Sequence, residues 1–217
     1  MHPSPQKPPE PRYWPGACAE LSGRDPVLGE LITRHRGDVL TGSGDGFRTL
    51  VNAIVGQQIS VSAAASIWRR LNTLLPDLSP HLVVGASHDE LRSVGLSNRK
   101  AEYIAGIARA FADGSVDADA WRSMDDDQVR SQLTALRGVG PWTAEMVLIF
   151  HLHRPDVLPI GDIGLVNAAA RIYGWTEVTT LPERAARLGE YAERWRPWRT
   201  VATWYIWRDL DAEPVIY

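Results

Sequence analysis

Apolar residues recur at Phe47, Leu50, Val51, Ile54 and Val55, an i, i+3, i+4, i+7, i+8 spacing that only a helix gathers onto one face. The same period runs through Ile67, Leu71 and Leu74 in residues 62–75. It returns at Tyr103, Ile104, Ile107 and Phe111 in residues 98–113, ahead of Gly114. Start signals accompany the stripes. Asp25-Pro26 pairs an N-cap residue with a proline at the first helical position, and Ser87 and Glu90 have capping-box spacing. The acids at 125–127 suit the first turn of a helix through Val129, Leu133 and Leu136. Further helices are predicted over 142–152, 163–173, 182–195 and 198–209. Alternating strand patterns are scarce, and no repeat of 20–50 residues occurs. The expected fold is all-α, many short helices joined by capped turns.

Composition narrows the class. The chain has 217 residues, 44% of them hydrophobic, which suits one or two globular domains. No apolar run approaches the ~20 residues of a membrane helix, and no secretory signal pattern is read at the start. The first sixteen residues, MHPSPQKPPEPRYWPG, hold six of the fifteen prolines, so residues 1–16 are expected to form a disordered tail and folding to begin near Asp25. Residues 17–217 are expected to form the helical domain. A single cysteine, Cys18, excludes a disulfide framework, a four-cysteine zinc site and a cysteine-ligated iron–sulfur cluster. His151 and His153 are two apart, off a common helix face, and read as ordinary helix-end residues rather than metal ligands. A cytoplasmic monomer that needs no cofactor is the expectation. The net charge of −3 excludes a protein that holds nucleic acid by bulk charge alone. Arginine supplies 21 of the 23 basic residues, leaving only Lys7 and Lys100 as lysines.

Residues 133–145, LTALRGVGPWTAE, carry the most chemistry. A helix stops near Leu136, turns through Gly138-Val139-Gly140 and restarts at Pro141. Two glycines permit φ > 0 and a close backbone approach, and the new helix offers unpaired N–H groups to an anion such as a backbone phosphate. A plain glycine turn between helices gives the same pattern. Asp162, in Leu158-Pro-Ile-Gly-Asp162, stands where another apolar helix begins. It reads as an N-cap, or as the fixed anion that glycosidic cleavage needs as positive charge develops on the sugar. The two roles are compatible, because amide donors favour the anionic form of a carboxylate.

Five stretches occur in order: residues 47–60 (FRTLVNAIVGQQIS), 95–104 (GLSNRKAEYI), 136–144 (LRGVGPWTA), 158–162 (LPIGD) and 195–202 (WRPWRTVA). Together they resemble the helix-hairpin-helix (HhH-GPD) base-excision DNA glycosylase superfamily, nearest to its alkylation-repair branch of the 3-methyladenine DNA glycosylase II type. The resemblance implies two helical lobes with a DNA-binding cleft between them. It also implies double-stranded DNA containing alkylated bases as partner, and Asp162 as the catalytic residue. Such enzymes flip the nucleotide into a pocket. By similarity, Gln58 fills the gap, with Gln57 as second choice. Gly138, Gly140 and Thr143 grip phosphates through their amides. The carbonyls of Thr134, Leu136 and Val139 match positions that can hold a monovalent cation, Na+ or K+, whose positive potential charge counting misses.

Relatives that also nick the strand carry a lysine two positions after the second hairpin glycine, where it forms a Schiff base. Here that position is Trp142, and Lys100 sits in a basic helix start better suited to a phosphate, so a monofunctional enzyme is expected. Trp142 and Trp207 match pocket walls of the branch. Indole faces attract cationic alkylpurines by ~0.5–2 kcal/mol. Trp195, Trp198 and Trp204 are read as packing residues, and Arg99, Arg196 and Arg199 as solvated charge. No separate N-terminal β-rich domain is expected ahead of the helices. Two rivals stay open: a glycosylase for oxidised or deaminated bases, and a non-catalytic DNA-binding module.

Overall fold

The computed structural model describes residues 11–210. Among these residues the chain forms twelve α-helices, two 3₁₀ turns and no strand. It divides into two compact units. One is continuous, Gly42–Leu152; the other combines the residues up to Thr41 with those from His153 on.

The continuous unit holds α3 (Gly46–Gly56), α4 (Val61–Leu74), α5 (Pro80–Gly85), α6 (His88–Ser93), α7 (Asn98–Ala112), a 3₁₀ turn (Ala120–Ser123), α8 (Asp126–Thr134) and α9 (Pro141–Phe150). Its core is α3 packed on α9, with α7 alongside α3. The predicted stripe Phe47, Leu50, Val51, Ile54 and Val55 is buried as a set, and Thr49, Asn52 and Ala53 are buried with it. A helix covered on every side must be apolar nearly all round, and α9 obeys the same rule with Thr143, Ala144 and Met146 to Phe150 buried. By contrast α4 buries only Leu71. His151 caps the end of α9, and its ring meets Trp121 edge-on at 6.0 Å.

The second unit holds α1 (Trp14–Arg24), α2 (Pro26–Arg34), α10 (Ile163–Ile172), α11 (Leu181–Tyr191), a 3₁₀ turn (Ala192–Trp195) and α12 (Arg199–Arg208). Here the expected tail and the expected start near Asp25 need correction: Pro11 is already buried and residues 14–16 lie in α1, so helix begins at Trp14. Residues 1–10 of that expectation lie outside the described residues. Pro15 falls in the first turn of α1, where a missing N–H costs nothing. Trp14 is 2% exposed and meets Trp204 edge-to-face at 5.5 Å. Tyr13 stacks on Trp198 at 5.6 Å and donates its hydroxyl to His153 O at 2.9 Å. These aromatic contacts supply burial that proline composition hid. Trp195 and Trp204 are buried, the packing role expected of them. Among the described residues no helix is long and apolar enough to cross a membrane.

Candidate active site

In the continuous unit the turn between α8 and α9 takes the expected form. Helix α8 ends at Thr134, and the chain tightens through hydrogen bonds from Leu136 N to Leu133 O and Val139 N to Leu136 O. Gly138 has φ +93, so this glycine uses its freedom, whereas Gly140 has φ −98 and ψ 178, an extended N-cap open to any residue. A Cβ on Gly138 would lie 2.2 Å from Cγ of Tyr103, so the turn is seated against that ring. No side chain caps α9, unlike α2 to α8. Its first-turn amides, those of Trp142 and Thr143, keep the anion-binding character of a helix start.

The loop between α3 and α4 lies in the same unit. Gln58 adopts φ +56, a left-handed conformation that non-glycine residues rarely take and that gathers at functional sites. Its side chain is exposed, as are Ile59, Ser60 and Val61 beyond it. Gln57, the second choice for filling the gap, instead commits its amide to the hairpin: Nε2 donates to Gly138 O and to Thr143 Oγ1, each at 2.9 Å. Sequence reasoning weighed both glutamines only as gap-fillers and missed this bridge.

Lys100 is the other revision. Its Nζ donates to Val55 O at 2.8 Å and to Gln57 O at 2.7 Å, occupying two carbonyls at the end of α3 instead of facing solvent and a phosphate. Burial pushes its ammonium below the usual lysine range. The one available signal was chemical: a lysine, with its compact charge and rotatable donors, in a chain that otherwise uses arginine. Arg196 and Arg199, read as solvated, are paired with Asp156 at 2.7 Å each in the other unit.

That other unit carries the carboxylate. Asp162 is the N-cap of α10; its Oδ1 accepts from Leu165 N at 2.7 Å. It is half-buried between the exposed Ile160 and Ile163. A Cβ on Gly164 would lie 3.1 Å from Oδ1, so a bare glycine lets the carboxylate take this position. Trp207 is half-buried on α12, and Trp142 is half-buried in the first turn of α9. Neither joins the fully buried set that Trp195 belongs to.

The chain as a whole is similar to known proteins. The HhH-GPD superfamily of base excision DNA repair proteins matches residues 51–194. A DNA-3-methyladenine glycosylase of Bacillus subtilis is 28% identical over 88% of this chain, and the DNA-3-methyladenine glycosylase 2 of Escherichia coli is 30% identical over 87%. The chain spans 66% of the length of either, just under two thirds. A 3-methyladenine DNA glycosylase of Schizosaccharomyces pombe, solved in complex with abasic DNA, superposes with TM-score 0.79 at 26% identity, covering 89% of this chain and 95% of that one.

Proposed function

The chain belongs to the HhH-GPD superfamily of base excision DNA repair proteins, and from that membership we propose that it is a monofunctional DNA glycosylase. It hydrolyses the N-glycosidic bond of alkylated purines, of the 3-methyladenine and 7-methylguanine type, in double-stranded DNA. The observation that carries the reading is Asp162, a half-buried carboxylate fixed by a capping amide at the start of α10 and flanked by exposed isoleucines.

An N-alkylated purine already bears positive charge and leaves as a neutral base, so the electron pair of the C–N bond departs with it. Positive charge then grows on the deoxyribose, where a fixed anion is worth most in a site that excludes water. Water adds to the sugar carbon, its proton passes to solvent, and an abasic site remains. Gln58 fills the gap left by the flipped nucleotide. The amides of Gly138, Gly140 and Thr143 hold phosphate. The Thr134, Leu136 and Val139 carbonyls belong to the end of α8 and the turn after it, with Leu136 O also accepting from Val139 N, and main-chain carbonyl oxygens are the donor type that suits Na+ or K+. Trp142 and Trp207 offer indole faces to a cationic base. Trp142 also occupies the position at which a lyase would carry its amine, which supports hydrolysis without strand cleavage.

The test is base release from methylated duplex, with uracil, hypoxanthine and 8-oxoguanine duplexes alongside. Asp162→Asn keeps the capping oxygen and removes the charge. It should bind the methylated duplex as wild type does and release bases slower by on the order of 10²-fold or more. Equal release by the two proteins would remove the catalytic role, and release confined to the other three duplexes would replace the substrate class. Borohydride should trap no covalent protein–DNA adduct; a trapped one would show an amine nucleophile.

A further inference from the structure

Three elements of the continuous unit meet around one lysine and one glutamine. Helix α3 ends with carbonyls that have no helical partner, and the Lys100 ammonium, reaching over from α7, takes two of them, Val55 O and Gln57 O. A cation at a helix C-terminus is favourable, yet this one is half-buried and loses hydration to be there. Gln57, held by its own carbonyl, spends both amide N–H groups on the hairpin, one on Gly138 O and one on Thr143 Oγ1. One turn along α7 from Lys100, the Tyr103 ring seats Gly138. The guanidinium of Arg137 lies 5.7 Å above that ring. The residue after Gln57 is Gln58, whose left-handed backbone presents its exposed side chain.

We infer that Lys100 and Gln57 are positioning residues: through them α7 fixes the end of α3 and fastens it to the hairpin, so that gripping the phosphate backbone sets where the Gln58 side chain enters the duplex. The inference rests on the glycosylase reading for its chemistry, but not for its geometry. A loop free to move relative to the hairpin would still let the hairpin hold DNA, while the side chain meant to fill the gap lost its fixed depth. Misplacement of about 1 Å is enough to cost on the order of 10²-fold in rate.

The experiment uses the full chain with Lys100→Met, Lys100→Arg, Gln57→Leu and the Lys100→Met/Gln57→Leu pair. Three quantities are read: duplex affinity by anisotropy, single-turnover release of 7-methylguanine, and fluorescence of 2-aminopurine beside the lesion, which reports unstacking in the bound complex. Lys100→Met and Gln57→Leu should each keep affinity within about threefold while release and the 2-aminopurine signal fall roughly 10- to 100-fold and severalfold. The pair should lose little more than either alone, because both act through one joint. Lys100→Arg, which keeps donors for both carbonyls, should recover most of the 2-aminopurine signal. A lowered melting temperature with release and 2-aminopurine signal per bound complex unchanged would reduce both residues to structural support and overturn the inference. Affinity and release falling by the same factor would make them DNA contacts and overturn it equally. If wild type released no base at all, the glycosylase reading would fail, and the 2-aminopurine signal would still decide the joint.

Discussion

Single residues divide into those whose partners lie nearby in sequence and those whose partners do not. Asp162 as N-cap and Gly138 as turn residue were legible, because both roles are settled within three or four positions. The ring under Gly138 was not, since Tyr103 precedes it by 35 residues and nothing in either neighbourhood announces the other. The bridge from Gln57 to Gly138 spans 81 positions and was equally hidden. This seating makes Gly138→Ala informative. The methyl group meets Tyr103 at a distance no real Cβ shows, and the left-handed φ adds roughly 1 kcal/mol of strain. We expect the turn to shift and affinity for undamaged and methylated duplexes to fall together by about tenfold, measured by anisotropy at fixed salt. Adding Tyr103→Ala removes the ring but leaves Cβ of residue 103 at 2.8 Å from the new methyl group, so it should recover only part, and the backbone strain stays as well. Unchanged affinity in Gly138→Ala would argue that the turn does not hold the strand.

Helices were legible in proportion to their length and to the capping chemistry at their starts. The predicted 142–152, 163–173 and 198–209 correspond to α9, α10 and α12 within two residues at each end. The predicted 182–195 breaks into α11 and a 3₁₀ turn. Two α-helices escaped: α5, six residues long and too short to show a period, and α1, which proline-rich flanks disguised. Capping also supplies a pH test. Glu90 is held below the usual carboxylate range by the Ser87 hydroxyl and amide. Glu183 is held low by the amide and hydroxyl of Thr180, with the Thr179 amide adding to them. A carboxylate whose folded pKa lies below its unfolded one binds fewer protons when folded. Its contribution is complete above the unfolded pKa, about 4.3, and is lost as pH falls through the folded value. Glu90→Gln and Glu183→Gln keep a side chain able to close the box but remove that titration. Each should melt below wild type at pH 7, with the gap closing between about pH 5 and pH 3. A gap independent of pH would show that the charge contributes nothing at these caps.

At the scale of the whole molecule the all-helical class was legible and the wiring was not, because periodicity is local and cannot say that one unit is assembled from both ends of the chain. Asp25 is one residue that joins those ends. It is 1% exposed. Its Oδ1 caps α2 by accepting from Val27 N and Leu28 N, and its Oδ2 accepts from Trp195 Nε1 and the Tyr173 hydroxyl, each at 2.9 Å. Burial, with the Asp25 charge adding to it, drives the Tyr173 hydroxyl far above the usual range, so it remains a donor to the carboxylate. The sequence announced the cap through Asp25-Pro26 but gave no sign of the partners 148 and 170 positions away. Removing this carboxylate leaves a buried indole N–H, a hydroxyl and two amides without an acceptor, and unsatisfied buried donors cost more than the bonds themselves contribute. Asp25→Ala should therefore lower stability by about 3 kcal/mol or more, read as a shifted urea midpoint followed by tryptophan fluorescence. Asp25→Asn keeps the capping oxygen but turns an N–H toward that of Trp195, which cannot rotate away, so it should recover less than half of the loss. If Asp25→Asn matched wild type, the carboxylate would act as a cap alone, and the aromatic packing of Trp14, Trp195 and Trp204 would have to hold the two ends together without it.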